Sequence, residues 1–129
     1  MRKLLRVRHL VVGDATWLWS VRRRIDRSRD EDCRTTLWLQ REGTRARCGI
    51  VFRPGPERVI ADGYVESGTV VRLSDRAWLN LYEPGVVHRF LRAAAARGLL
   101  PDRPGTVEVD GWPLFDAVTA GRVTPPTAS

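Results

Sequence analysis

Arg34-Thr35-Thr36-Leu37-Trp38-Leu39-Gln40-Arg41-Glu42-Gly43-Thr44-Arg45-Ala46-Arg47-Cys48-Gly49-Ile50-Val51-Phe52 reads as two strands around a turn. Side chains of a strand alternate between faces, so a period of two marks one. Glu42-Gly43 is suited to the turn, since glycine reaches the backbone angles that short hairpin turns need. A two-residue turn there predicts Leu39 opposite Ala46, Leu37 opposite Cys48, Thr35 opposite Ile50 and Cys33 opposite Phe52. All the apolar partners then share one face. Cys33 falls four residues along the strand from the partner of Cys48, about 13 Å at the usual rise. A disulfide requires Cα atoms within about 7 Å. The two thiols are expected to stay apart, mostly buried and inert, because burial suppresses thiolate.

The pattern repeats upstream. In residues 4–12, Leu5, Val7, His9 and Val11 alternate with Arg6 and Arg8. In residues 16–23, Trp17, Trp19 and Val21 alternate with Leu18, Ser20 and Arg22. A three-residue loop at Gly13–Ala15 would set Val11 opposite Trp17, His9 opposite Trp19 and Val7 opposite Val21. The polar, mixed-sign run from Arg22 to Asp32 reads as an exposed loop.

Downstream, Pro54-Gly55-Pro56 ends the second hairpin, because proline cannot continue a central ladder. Short strands are expected near Val59–Ala61 and over residues 69–73, while Ala77–Tyr82 is ambiguous. The clearest helix starts at Pro84, a residue that loses nothing at the first helical position. Val87, Phe90, Leu91 and Ala94 give it an apolar stripe, and Trp78 is expected to staple its start. Gly98 suits its left-handed cap and Pro101 blocks continuation. A last strand at Thr106–Val109, a turn at Asp110-Gly111 and a short helix over Pro113–Ala120 complete the pattern. Two hairpins followed by a helix predict an α+β fold. The expected sheet is twisted and antiparallel, with about 5–6 strands and one face covered by the C-terminal helix. Residues 1–121 form one domain in this reading and 122–129 a flexible tail.

The 129 residues carry a net charge of +7 with 43% hydrophobic residues, which is globular rather than disordered material. No apolar run approaches the ~18 residues of a membrane span. Arg6, Arg8 and His9 interrupt any signal-peptide core. A cytoplasmic protein without membrane contact is expected. Lys3 is the sole lysine, all other basic residues being arginine. That bias fits a bacterial genome of high GC content, and it competes with a polyanion partner as the origin of the charge.

No catalytic set is complete. His9 and His88 have no Cys, His or Asp at metal-ligand spacing, and CxxC and HExxH are both missing. No metal or cofactor is expected. Asp62, Glu66, Asp75, Glu83, Glu108, Asp110 and Asp116 are scattered at no telling spacing. Gly63 to Gly68 lacks the Gly-Lys-Ser/Thr of a phosphate loop. The arginines carry more. Arg6, Arg8 and Arg22 are placed on the outer face of the first hairpin, and Arg45, Arg47 and Arg53 on that of the second, with Trp38 among them. Joined in one sheet, these seven residues would form a basic face with an aromatic, able to hold single-stranded nucleic acid by charge and stacking. The competing reading has arginine stems covering an exposed sheet and cation–π pairs holding tryptophans.

Two stretches carry a resemblance. One is Thr16-Trp17-Leu18-Trp19-Ser20-Val21-Arg22. The other is Asn80-Leu81-Tyr82-Glu83-Pro84-Gly85-Val86-Val87, with Ala93–Gly98, Pro101 and Val109-Asp110-Gly111-Trp112 after it. Together they resemble short conserved hypothetical bacterial proteins of actinobacterial type that carry a proline-started helix near the C-terminus. The resemblance spans about half the chain, and its motifs are structural, so it implies no functional residues. Three functions follow as expectations: a non-enzymatic binding or regulatory domain with a protein partner; a nucleic-acid binder using the arginine face; or a small enzyme using His9, Cys33 or the carboxylates between sheet and helix.

Overall fold

The computed structural model describes residues 7–24, 33–60 and 68–120. In chain order the elements are β1 (Arg8–Val12), β2 (Ala15–Arg24), β3 (Arg34–Arg41), β4 (Ala46–Phe52), β5 (Arg58–Ile60), β6 (Thr69–Arg72), β7 (Ala77–Asn80), α1 (Pro84–Ala96), β8 (Gly105–Asp110) and α2 (Gly111–Ala120). The fold is α+β, with two sheets rather than one: a five-stranded sheet ordered β1-β2-β3-β4-β8 and a three-stranded sheet ordered β5-β6-β7. The larger sheet is mixed, because β8 returns parallel to β4. A parallel return needs a long crossover, which the smaller sheet and α1 supply. Gly121 and residues 122–129, the expected end of the last helix and its tail, lie outside the described residues.

Both helices and the smaller sheet lie against one face of the larger sheet. The core combines Trp19, Leu37, Leu39, Cys48, Ile50 and Phe52 with Val87, Phe90 and Leu91 of α1, Leu114 and Phe115 of α2, and Ile60, Val70 and Leu79 of the smaller sheet. Phe52 is the junction. Its ring meets Phe90 edge-on at 5.6 Å and Trp112 at 5.2 Å. It also presses on Gly111, where an added Cβ would lie 2.6 Å from the ring. Gly111 is therefore set by space, and α2 starts there rather than at Pro113. The Asp110 carboxylate accepts the Trp112 N–H at 3.2 Å, capping the helix. Helix α1 ends as its sequence predicts. Gly98 takes φ +68, Leu99 N–H donates to the Ala94 carbonyl and Gly98 N–H to that of Ala95. Trp78 does not staple this helix; it sits on β7, 55% exposed.

The registers differ from the sequence expectation in instructive ways. In the first hairpin Val12 faces Ala15, Leu10 faces Trp17 and Arg8 faces Trp19. The turn is thus two residues, Gly13-Asp14, with Gly13 at φ +64, as a type II′ turn requires. A shift of one residue exchanges the faces. Leu10 and Val12 pack on the core, whereas Val7 and Val11 are 51% and 71% exposed and His9 points to solvent. In the second hairpin Leu39 faces Cys48, Leu37 faces Ile50 and Thr35 faces Phe52. The loop is Glu42–Arg45, closed by Thr44, whose N–H and hydroxyl both donate to the Arg41 carbonyl. That two-residue shift leaves every side chain on its expected face. It moves Cys33 still further from Cys48, about 20 Å along the strand. Finally, β2 continues through Arg24, so the start of the expected loop is strand, while residues 25–32 lie outside the described residues.

Candidate functional site

The face of the larger sheet turned away from the helices is built from cross-strand rows that the registers define. One row runs His9, Leu18, Gln40, Arg47, Thr106. The next runs Ser20, Trp38, Gly49, Glu108. Then come Arg22, Thr36, Val51, Asp110, and last the pair Arg24 and Arg34. Gly49 has no side chain, and the Trp38 ring fills the space above it: an added Cβ would lie 2.7 Å from that ring. The Arg47 guanidinium stacks over the Trp38 ring at 4.4 Å. One face of the indole is thereby occupied.

Beyond Trp38, the side chains of Arg22, Arg24 and Arg34 border a concavity with Thr36, Trp38 and Glu108, about 200 Å³ in volume. Its chemistry is cationic: three guanidinium groups meet one carboxylate. Arg24 is in register with Arg34, so two like charges face each other across the ladder. Such a pair is destabilising, by roughly 0.2–1 kcal/mol for direct neighbours. Among the described residues none of the three arginines forms an ion pair or a side-chain hydrogen bond. Guanidinium groups gathered in one concavity are equipped to take a carboxylate or phosphate in forked hydrogen bonds.

Of the seven residues expected on a basic face, the structure keeps three there: Arg22, Arg47 and Trp38. Arg8 belongs to the other face, its guanidinium 5.6 Å from the Trp19 ring centre and donating to the Tyr82 carbonyl. The one-residue register shift is the cause. Arg45 sits in the β3–β4 loop, where its carbonyl accepts the Gly105 N–H. Arg53 lies past the end of β4, its carbonyl accepting the Trp112 indole N–H at 2.8 Å. Arg6 lies outside the described residues. Arg24 and Arg34 were missed. Alternation offered the signal: Leu18, Ser20, Arg22 and Arg24 keep one face while Trp17, Trp19, Val21 and Arg23 keep the other.

The remaining candidates are separated. His9 is exposed, with a Glu42 carboxylate oxygen 3.9 Å from its Nε2. Cys48 is fully buried, and desolvation pushes its thiol up to about 11, well away from reactive thiolate. Among the described residues no group of three or more His, Cys, Asp or Glu is placed to hold a metal ion. No helix among them is long and apolar enough to cross a membrane. Compared with family models, curated proteins and solved structures, the chain matches none.

Proposed function

We propose that this domain is a binding module, acting by association rather than turnover, and that the arginine end of the sheet face turned away from the helices takes an acidic segment of a partner protein. The observation that carries the reading is the registered Arg24–Arg34 pair with Arg22 beside it, unpaired among the described residues and bordering one concavity. Holding like charges opposite one another works against folding, and a bound carboxylate relieves that repulsion. The concavity is short, suited to a few acidic side chains rather than to a long polyanion. A nucleic-acid groove needs cations tracking a backbone and aromatic faces open to bases. Here Arg8 has left the face, and Arg47 covers one side of Trp38.

The test is fluorescence anisotropy with a labelled glutamate-rich peptide and, in parallel, a labelled oligothymidylate, at low and near-physiological salt. The expected result is peptide binding that weakens with salt and is abolished in the Arg24→Glu/Arg34→Glu double variant. Peptide binding that the double variant retains contradicts the proposal. So does preference for the oligonucleotide at near-physiological salt, which would restore the nucleic-acid reading.

A further inference from the structure

A second concavity opens at the other end of the β2–β3 ladder from Arg24 and Arg34, between the β3–β4 loop and the segment joining α1 to β8. Its volume is about 660 Å³, in the range of roughly 300–1,000 Å³ usual for small-molecule sites. Half-buried Trp17 and Leu100 give it an apolar lining, and Arg41, Arg45, Asp102 and Arg103 a charged one. Those four charged side chains are exposed, and among the described residues none of them forms an ion pair or a side-chain hydrogen bond. The walls are fixed by bonds of the chain itself. Gln40 donates its amide to the Thr44 carbonyl at 2.7 Å, and Glu42 N–H donates to the Thr16 carbonyl at 2.8 Å. Gly105 N–H donates to the Arg45 carbonyl at 3.0 Å and ties one wall to the other. Pro101 and Pro104 restrict the backbone of the second wall. The hollow therefore stands ready-made, and a ligand entering it has little loop to order.

We infer that this concavity is a site for a ribonucleoside monophosphate. Three different chemistries border one hollow, and each has its counterpart in that ligand. The indole of Trp17 offers a flat apolar surface to a heterocyclic base. The guanidinium groups of Arg41, Arg45 and Arg103 match phosphate oxygens in forked hydrogen bonds. The Asp102 carboxylate only accepts hydrogen bonds, and the paired hydroxyls of ribose donate them. Charge agrees as well: three guanidinium groups against one carboxylate leave an excess of two positive charges, and a phosphate monoester carries about −1.5 to −2 at neutral pH. A plain anion would engage the arginines and leave the indole idle. An aromatic acid would use both, yet bring no hydroxyl pair to Asp102. This site is separate from the Arg22, Arg24 and Arg34 concavity and does not rest on the reading given for it.

Isothermal titration of the full chain at near-physiological salt tests this, with the monophosphates of adenosine, guanosine, cytidine and uridine, and with adenosine and inorganic phosphate alone. At least one monophosphate should bind about tenfold or more tightly than adenosine or phosphate does. Arg45→Ala/Arg103→Ala should weaken it by about tenfold or more, since both positions are exposed and the fold does not depend on them. Asp102→Asn should narrow the preference for the ribonucleotide over its deoxy counterpart. Arg24→Glu/Arg34→Glu should leave the binding unchanged, whatever it does to the glutamate-rich peptide. The inference is overturned if no monophosphate binds up to about 1 mM, or if inorganic phosphate binds equally well. Binding that survives Arg45→Ala/Arg103→Ala, or that is lost in Arg24→Glu/Arg34→Glu, contradicts it too.

Discussion

The two sheets of this domain treat arginine in opposite ways. On the three-stranded sheet, Arg58 and Arg72 turn toward the core. Their guanidinium groups cover the rings of Trp112 and Phe115, and Arg72 also pairs with Asp75 and Asp116. On the five-stranded sheet, Arg22, Arg24 and Arg34 turn to the face away from the helices, and among the described residues they meet no counter-charge beyond Glu108 at the rim of their concavity. The same residue type thus acts as mortar in one region and as unspent charge in the other. A net charge of +7 is a sum over both uses, which is why composition could not decide its meaning.

The contrast presupposes that the two sheets share one core, and the largest expected effect tests that. Phe52→Ala empties the junction between the larger sheet and both helices, and should cost about 3–5 kcal/mol. Urea unfolding followed by tryptophan fluorescence and by far-UV circular dichroism should shift as one transition. Two separated transitions would mean that the sheets stand independently.

A smaller effect separates the arginines. Arg72→Ala removes a mostly buried stem and two charged partners that are themselves half exposed, so about 1–2 kcal/mol of stability should go. Its pH signature has a definite sign. The hydrogen bond from Arg72 holds the Asp75 carboxyl at about 2, below its ordinary 3.8. The ionised pair therefore contributes fully above about pH 4, and its contribution is lost as pH falls toward 2. Urea midpoints at pH 5 and pH 2.5 should differ less in Arg72→Ala than in the wild type. An equal difference would assign the acid sensitivity elsewhere.

Thr35 offers an internal check on the core. Its side chain is fully buried on the covered face, and its hydroxyl has no hydrogen-bond partner among the described residues. Thr35→Val keeps the shape and removes an unsatisfied polar group, and should raise the urea midpoint by about 1 kcal/mol of stability. A loss of stability would mean the hydroxyl is bonded.

The elements and the registers were not equally legible. Pro84 and Gly98 marked the ends of α1 because the backbone chemistry at those positions admits few residues. The face of each strand in the second hairpin was readable from Leu37, Leu39, Cys48 and Ile50, whose apolar character survives a shift of two. The first hairpin was not readable, because Leu10–Val12 and Val7–Val11 are rival apolar rows one residue apart, and only the Gly13 conformation chooses between them. That single choice moved Arg8 and His9 to the wrong faces. The second sheet was hidden for another reason. Its strands are only three and four residues long, too short for a period to show. Of the candidate site, Arg22, Arg47 and Trp38 were legible from alternation. Arg34 stood in a strand already read, on the face of Trp38, and was passed over, whereas Arg24 was hidden because a strand ending in consecutive arginines looks like a loop.

The most direct measurement pairs stability with binding in Arg24→Ala/Arg34→Ala. The urea midpoint should stay within about 0.5 kcal/mol of the wild type or rise slightly, because two opposed charges have been removed. Binding of the glutamate-rich peptide should at the same time be lost. A clear loss of stability with peptide binding unchanged would make these arginines structural, like Arg72, and the distinction between the two sheets would collapse.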